Sequence, residues 1–296
     1  MKDAFSTYHP LVNFIYFAVV ILFSMFLMHP VFLCISFASA FLYSLRLNGK
    51  RALKFNLLFL VPFLLVMALL NPLFNHQGVT ILFYASSGNP ITLEAVLYGF
   101  AAALMFVSVI CWFSCYNAVM TSDKFLYLFG RVIPALSLVF SMVLRFVPRF
   151  KAQICVITRA QACMGRDLHS GNLWQRMKNG VQILSIMVTW ALEHSIETAT
   201  SMKSRGYGLP GRTVFSIFYP EKRDRIFLLL FFALSVFILA GFACGIVFVR
   251  YYPALGFTGF APVPVIFYIG YLALCLLPLI IDLVEEHQWK RFVSIT

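Results

Sequence analysis

Long apolar blocks, separated by short polar or basic stretches, dominate the pattern of residues along this chain. A transmembrane helix needs about 20 apolar residues, and six blocks approach or exceed that length: Leu11–Met28, Val31–Leu47, Leu57–Phe74, Val96–Cys115, Ile226–Val249 and Val265–Leu283. The first begins close to the N-terminus without a small-residue cleavage site after it, so we interpret it as a retained span rather than a signal peptide. The pattern predicts an all-α, polytopic membrane protein with about six spans.

The region between the fourth and fifth blocks begins with two shorter segments that we expect to be helical. Val132–Val147 is almost entirely apolar, but Pro134 lies near its start and Pro148 directly follows it. We expect this segment to dip into the membrane interface without crossing. Because proline interrupts helices, we predict that a separate amphipathic helix, Arg149–Met164, follows it.

The longest predicted helix of this region runs from about Leu173 to Ser204, and the glycines that follow it are typical of a helix end. Its apolar centre, Val181–Leu192, is too short to cross a bilayer. Apolar and small residues recur at steps of three and four: Val181, Leu184, Val188, Leu192, Ser195, Ala199 and Met202. We predict that this stripe packs against another helix, with the two preceding segments as its nearest partners.

Lys and Arg are distributed so that one side of the membrane receives nearly all of them. From Thr121 to Arg225 there are fifteen Lys or Arg against six Asp or Glu, and the loops elsewhere alternate between basic and nearly uncharged. Since basic loops stay in the cytoplasm, we predict that both termini are cytoplasmic, which leaves Arg250 as the one basic residue outside. We expect membrane domains at residues 1–120 and 226–296, and a cytoplasmic coupling domain of long amphipathic helices at 121–225.

Composition then narrows the functional classes. The chain is 61% hydrophobic and 11% charged, with a mean hydropathy of +0.87, whereas soluble domains carry about 25% charged residues. The net charge of +12 follows from topology, and no basic run is interleaved with aromatic residues as single-strand binding requires. The cysteines form no Cys-x-x-Cys pair, the histidines are scattered, and a Gly-rich nucleotide loop is absent from the sequence. We therefore expect no metal site, no cofactor, no nucleic-acid partner and no ATP hydrolysis in this chain.

A resemblance to a known family appears where the longest helix ends. Residues 196–208 read Ile-Glu-Thr-Ala-Thr-Ser-Met-Lys-Ser-Arg-Gly-Tyr-Gly, and Gly211-Arg212-Thr213 follows. This run closely resembles the transmembrane T component of energy-coupling factor (ECF) vitamin and metal transporters. Members of that family carry two short small-Arg-Gly motifs, each near the end of a cytoplasmic coupling helix.

The resemblance implies six candidate residues for contact with an ATPase. The second motif is matched by Ser204, Arg205 and Gly206. The first falls at Met164 and Gly165, with Met164 in place of the usual Arg and with Arg166 one residue beyond the glycine. Either Arg166 substitutes from the next turn, or the first contact is apolar.

The resemblance also implies a function and a set of partners. It implies a non-catalytic coupling subunit in the plasma membrane of a prokaryote, working with two ABC-type ATPases and a small membrane-embedded substrate-binding (S) subunit to import a vitamin or a transition-metal ion. An arginine at a helix tip suits such a contact, because its planar fork binds a carboxylate through two hydrogen bonds. A glycine after it ends the helix and lets the partner's backbone approach.

Two other classes of function remain as alternatives. A membrane-embedded enzyme needs clustered Asp, Glu or His at the membrane face, and the carboxylates of this chain are sparse. A stand-alone channel or transporter needs charged residues deep in its spans. Glu94 and Asp282 lie near span ends, where we expect them to act as anchors.

Overall fold

The computed structural model describes residues 3–84, 90–130, 133–167, 171–209, 218–259 and 261–295. Its helices, numbered in chain order, are α1 Pro10–Phe26, α2 Pro30–Asn48, α3 Lys50–Phe55, α4 Val61–Phe74, α5 Leu93–Val119, α6 Ser122–Gly130, α7 Pro134–Cys163, α8 Leu173–Ser204, α9 Lys222–Ala243 and α10 Pro262–Ile295. A 3-10 turn at Phe5–Thr7 precedes α1, and a π-helical turn at Asn56–Leu60 joins α3 to α4. The all-α fold class is confirmed.

The described residues also form two short hairpins. Strands β1 (Ile81–Tyr84) and β2 (Pro90–Thr92) pair antiparallel, with Ile81 opposite Thr92. Strands β3 (Val249–Arg250) and β4 (Gly256–Phe257) pair in the same way, with Val249 opposite Phe257. They connect α4 to α5 and α9 to α10 respectively.

Each of the six predicted apolar blocks corresponds to helical structure, but their lengths differ. Within the described residues, four helices are long and apolar enough to cross a membrane: α2, α5, α9 and α10 as far as Arg291. Helix α1 and the apolar stretch Leu58–Phe74 are shorter. Helix α9 ends at Ala243, earlier than its apolar block, because Gly245 takes a φ of +68° and closes the helix. The number of spans beyond these four stays a prediction.

The chain divides into two compact units. We call Met1–Phe125 with Phe218–Thr296 the membrane unit, and Leu126–Ile217 the central unit. The membrane unit holds α1 to α5, α9 and α10, and the central unit holds α7 and α8; the boundary between the units falls within α6.

Aromatic side chains and hydroxyl groups together build the interior of the membrane unit. Tyr16, Phe17 and Trp112 are fully buried and meet edge to face, with ring centroids 5.4 to 6.3 Å apart. The Trp112 indole donates a hydrogen bond of 3.0 Å to the Ser36 hydroxyl, which lies 2.6 Å from the Ser24 hydroxyl. Such pairs satisfy polar groups that water cannot reach, and they connect helices inside the apolar core.

Glu94 and Asp282 act as anchors, as the sequence predicted. The Asp282 carboxylate accepts a 2.6 Å hydrogen bond from the Ala4 backbone and lies 3.7 Å from the Arg46 guanidinium. The Glu94 carboxylate accepts a 2.9 Å hydrogen bond from the Thr80 hydroxyl. Both carboxylates therefore fix chain segments to the ends of the membrane unit.

In the central unit, the predicted break at Pro148 is wrong. Helix α7 runs without interruption from Pro134 to Cys163, with Pro148 inside it; Val132 lies outside the described residues. Proline removes one backbone hydrogen bond from a helix, but contacts with α8 hold α7 on both sides of it. The Phe146 ring lies 5.7 Å from His194, and the Phe150 ring lies 5.5 Å from Trp190. Tertiary packing thus outweighs the local cost.

Helix α8 runs from Leu173 to Ser204 as predicted, but it packs through a different face. Its most buried side chains are Ile183 and Met187, which are 7% and 8% exposed and cluster with Ile157 of α7. The predicted stripe is wrong as an internal contact, since four of its large members are more than half exposed: Val181, Leu184, Val188 and Leu192. Two apolar faces compete on this helix, and the bulkier aromatic side of α7 selects the face that includes Trp190 and His194.

Candidate coupling site at two helix ends

The end of α8 has a well-defined backbone geometry. Arg205 is the C-cap residue, with φ −85° and ψ 8°, and Gly206 follows in the left-handed region at φ +81°. The Gly206 N–H donates to the Lys203 carbonyl and the Tyr207 N–H donates to the Met202 carbonyl, and both N···O distances are 3.1 Å. This pair of bonds is the Schellman closure, which satisfies carbonyls that a helix end otherwise leaves unpaired.

The end of α7 repeats this geometry. Met164 is the C-cap residue, with φ −91° and ψ 12°, and Gly165 follows at φ +77°. The Gly165 N–H donates to the Ala162 carbonyl and the Arg166 N–H donates to the Gln161 carbonyl, and both N···O distances are 3.0 Å. The two predicted motifs therefore share one local structure, although the residues that end the two helices differ in sequence.

The shared backbone sets the correspondence between the candidate residues. Met164 of α7 occupies the place of Arg205 of α8, and Gly165 occupies the place of Gly206. Arg166 lies in the place of Tyr207, one residue after the glycine. The guanidinium of Arg166 thus starts from a different point of the turn than the guanidinium of Arg205.

The side chains at both ends face outward. Arg205 and Arg166 are exposed, and Met164 is 60% exposed. In the part of the chain that the structure describes, neither arginine forms an ion pair. The Ser204 hydroxyl instead turns back and donates a 2.9 Å hydrogen bond to the Ser201 carbonyl. Two exposed guanidinium groups and one exposed thioether are thus available to a partner.

The glycines at the two ends differ in the space around them. A Cβ added to Gly206 would lie 3.1 Å from Cδ1 of Leu209, whereas a Cβ added to Gly165 would meet no atom within 4 Å. Both have a positive φ that side-chain-bearing residues rarely adopt. The second half of the resemblance, Gly211-Arg212-Thr213, lies outside the described residues.

Antiparallel packing of α7 and α8 holds the central unit together. Contacts pair Phe150 with Trp190 and Ile157 with Ile183, so the two helices run in opposite directions. Beyond the end of α7, the Asn179 amide donates a 3.0 Å hydrogen bond to the Asp167 carbonyl. This bond ties the turn after Arg166 to the first part of α8.

A polar contact that the sequence did not reveal lies between these helices. Nη1 of Arg149 is 2.6 Å from Nε2 of His194, and Nδ1 of His194 is 3.5 Å from the Glu197 carboxylate. Since a guanidinium only donates hydrogen bonds, Nε2 of His194 must accept, which leaves Nδ1 to carry the proton toward Glu197. Trp190 stacks on the imidazole at 5.3 Å. The sequence offered one signal for this contact: along α8, Trp190 precedes His194 by four residues and Glu197 follows it by three. That spacing does not identify Arg149 as the partner.

The remaining surface of the central unit combines positive charge with apolar area. Helix α7 carries no Asp or Glu, while its basic residues include Arg145, Arg149, Lys151 and Arg159. Large apolar side chains of α8 are exposed along its length: Trp174, Met177, Val181, Leu184, Val188, Leu192 and Ile196. An exposed apolar surface of this extent indicates a membrane or a partner protein that covers it.

Among the described residues, no group of three or more His, Cys, Asp or Glu side chains is placed to hold a metal ion. The two cysteines near the end of α7, Cys155 and Cys163, are free and exposed.

Comparison with known proteins gives consistent matches. The profile of the family CbiQ, described as cobalt transport protein, matches residues 2–215. The energy-coupling factor transporter transmembrane protein EcfT of Bacillus selenitireducens is 32% identical over 106 residues, which cover 36% of this chain and 40% of the relative. The EcfT of Lactobacillus helveticus is 37% identical over 112 residues, covering 38% and 40%. That of Lacticaseibacillus paracasei is 37% identical over 93 residues, covering 31% and 35%. The chain thus aligns with less than half the length of these relatives.

Proposed function

The chain belongs to the CbiQ family of cobalt transport proteins, and from that membership we propose that it is the non-catalytic transmembrane coupling subunit of an ECF-type importer. It transmits the motion of two ABC-type ATPases to a membrane-embedded S subunit, so that a vitamin or a transition-metal ion is taken up. ATP hydrolysis belongs to the ATPase partners. The protein resides in the plasma membrane of a prokaryote, with both termini on the cytoplasmic side and the central unit at the cytoplasmic surface of the membrane.

The observation that carries this proposal is the pair of matched helix ends with outward-facing C-cap side chains. Helix α8 has 32 residues, which corresponds to about 48 Å at 1.5 Å per residue. Its first turn is closed by a capping box between Asn172 and Gln175, and its last turn is closed by the bonds at Gly206. Capped at both ends, such a helix can move as a rigid body and carry a displacement from Arg205 along its length.

The two ends offer different chemistry to the ATPases. At α8, the Arg205 fork can bind a carboxylate through two parallel hydrogen bonds. At α7, the equivalent place holds Met164, whose flexible thioether side chain adapts to apolar pockets. We propose a charged contact at Arg205 and an apolar contact at Met164. Arg166 does not take the place of Arg205 in this arrangement, because it lies two residues further along the turn than the equivalent position.

The exposed face of α8 supports a role for the S subunit. The stripe through Val181, Leu184 and Val188 faces away from α7. Burial of apolar area is the main driving force of such association, and a subunit that resides in the membrane has an apolar exterior of its own. The stripe therefore suits the S subunit better than it suits the polar surface of an ATPase.

Charge reversal at Arg205 tests the proposal. In Arg205→Glu, repulsion replaces attraction at the contact; loss of one partner of a buried charge pair costs about 2–5 kcal/mol, or about 30-fold to several-thousand-fold in affinity. We expect Arg205→Glu to lose the ATPases in pull-down from membranes while inserting normally. Arg205→Lys should be intermediate, because lysine keeps the charge without the fork.

Matched variants separate this contact from general loss of positive charge. Lys203→Glu removes a cation two residues before Arg205 on the same exposed turn, and we expect it to retain the ATPases. Met164→Arg places a guanidinium at the equivalent end of α7. Arg166→Glu should lose less of the bound ATPases in pull-down than Arg205→Glu does. Wild-type capture and transport-coupled ATP hydrolysis by Arg205→Glu would reduce this residue to an ordinary cytoplasmic arginine.

A further inference from the structure

A cavity lies in the membrane unit, at the end of the bundle that carries β3 and β4. Its volume is about 300 Å3, and it is bounded by the start of α2, the first half of α5 and the β3–β4 hairpin. The walls are apolar, with Leu33, Leu97 and Leu104 among them, and Arg250 is the one charged side chain among the described residues that line it. Such a cavity is at the lower end of the range of small-molecule sites.

A group of tyrosines indicates the depth of this cavity in the bilayer. The Tyr98 ring lies 5.4 Å from Tyr251 and 5.5 Å from Tyr252, and the Tyr251 hydroxyl donates a 2.7 Å hydrogen bond to the Met28 carbonyl. Tyrosines concentrate where the lipid headgroups meet the hydrocarbon layer, so the end of the cavity that Tyr251 lines lies at headgroup level. From there, Leu104 is about 10 Å deeper than Leu97 along α5, at 1.5 Å per residue.

Arg250 lines this same end of the cavity beside Tyr251, and a hydrogen bond orients its side chain. Its Nε donates a 2.9 Å hydrogen bond to the Tyr252 carbonyl, which sets the plane of the guanidinium. The side chain is exposed, and it forms no ion pair within the described part of the chain. A guanidinium of this kind binds a phosphate through two hydrogen bonds.

We propose that this cavity holds one acyl chain of an anionic phospholipid, with its phosphate at Arg250. A phospholipid matches both features, since its charge lies at headgroup level and its chain extends inward. A helix of a partner protein does not match the cavity, because a helix with its side chains is about 10–12 Å wide. This inference stands independently of the proposed coupling role.

Native mass spectrometry of the purified chain tests the proposal. The protein is equilibrated with vesicles that contain phosphatidylglycerol and phosphatidylcholine in equal amounts, and the retained lipid is identified. We expect one preferentially retained phosphatidylglycerol, and Arg250→Gln should lower that preference by about tenfold or more, the effect of losing a charge-assisted hydrogen bond. Lys222→Gln removes an exposed cation at the other end of α9 and should leave the preference unchanged.

Cysteine labelling provides a second readout that needs no substitution. Cys34 lines the cavity, and Cys244 is exposed but does not line it. We expect delipidation to speed maleimide labelling of Cys34 and added phosphatidylglycerol to slow it, while Cys244 is unaffected. In a separate lipid-retention experiment, Leu97→Trp, which fills part of the cavity, should lower retention of either lipid.

Three outcomes would overturn the proposal. One is equal retention of the two lipids by the wild-type chain, which would reduce the cavity to a surface for any acyl chain. Another is an undiminished phosphatidylglycerol preference in Arg250→Gln. The third is protection of Cys34 by copurified protein subunits in the absence of phospholipid, which would assign the cavity to a protein partner.

Discussion

Truncation of two adjacent residues of α8 distinguishes its inner face from its outer face. Ile183 is 7% exposed and contacts the cluster that includes Ile157 and Met187, whereas its neighbour Leu184 is 62% exposed. The sequence pattern assigned Leu184 to the packing stripe, and the structure assigns that place to Ile183. Ile183→Ala and Leu184→Ala therefore form a matched pair, because both introduce alanine at neighbouring positions of one helix.

The structure gives different costs for the two changes. Ile183→Ala deletes three buried carbons, which is about 2.4 kcal/mol at 0.8 kcal/mol per methylene, and the cavity left behind brings the loss into the range of about 2–5 kcal/mol. Leu184→Ala deletes mostly exposed carbons and introduces the best helix former, so we expect a change within about 0.5 kcal/mol. At the lower limit of about 2 kcal/mol, Ile183→Ala raises the opening constant of the α7–α8 pair by about 30-fold.

Hydrogen exchange of the isolated chain in nanodiscs measures this opening. Amides of α7 and α8 that exchange only when the two helices separate report the free energy of that local unfolding. We expect Ile183→Ala to speed exchange in peptides from residues 146–163 and 179–194, and Leu184→Ala to change it less than about threefold, the equivalent of 0.5 kcal/mol. Equal acceleration by both variants, or a larger effect of Leu184→Ala, would refute the assignment of the inner face.

Three further predictions concern other parts of the chain. Burial and the nearby Asp282 raise the pKa of Asp3 from 3.8 to about 7. Because the unfolded chain loses this proton above pH 4 while the folded chain keeps it, thermal stability in detergent should fall between about pH 4 and 7. The variant Asp3→Asn should flatten that fall. Gly206→Ala should destabilise the end of α8 by about 1–2 kcal/mol, because a Cβ is strained at φ +81°, measured as faster exchange of the last turn. Val79→Cys and Trp174→Cys, both at exposed positions, should react with impermeant maleimide from opposite sides of the membrane; reaction from the same side would contradict the topology.

The broad organisation of this protein follows from its sequence because the signals are local and strong. Apolar runs near bilayer length leave few options for Pro30–Asn48 or Leu93–Val119 other than a membrane helix. The bounds of α8 were also predictable, since a helix end needs a residue that tolerates a positive φ and Gly206 supplies it. The candidate residues at that end were identified by resemblance, and no periodicity in the chain would have selected Arg205 from the other basic residues.

Tertiary structure alone decided which surfaces meet. On α8, the faces through Ile183 and through Leu184 both satisfy helical spacing, and only the aromatic side chains that α7 presents determine which is buried. In the same way, Pro148 predicts a break by local chemistry, yet contacts of Phe146 and Phe150 with α8 keep α7 continuous. Apart from the continuity of α7, the sequence by itself determined where the long helices lie, because propensity, capping and hydrophobicity act over a few neighbouring residues. The pairing of faces depends on side chains 26 to 48 residues apart, and its free energy exists only once the helices are packed together.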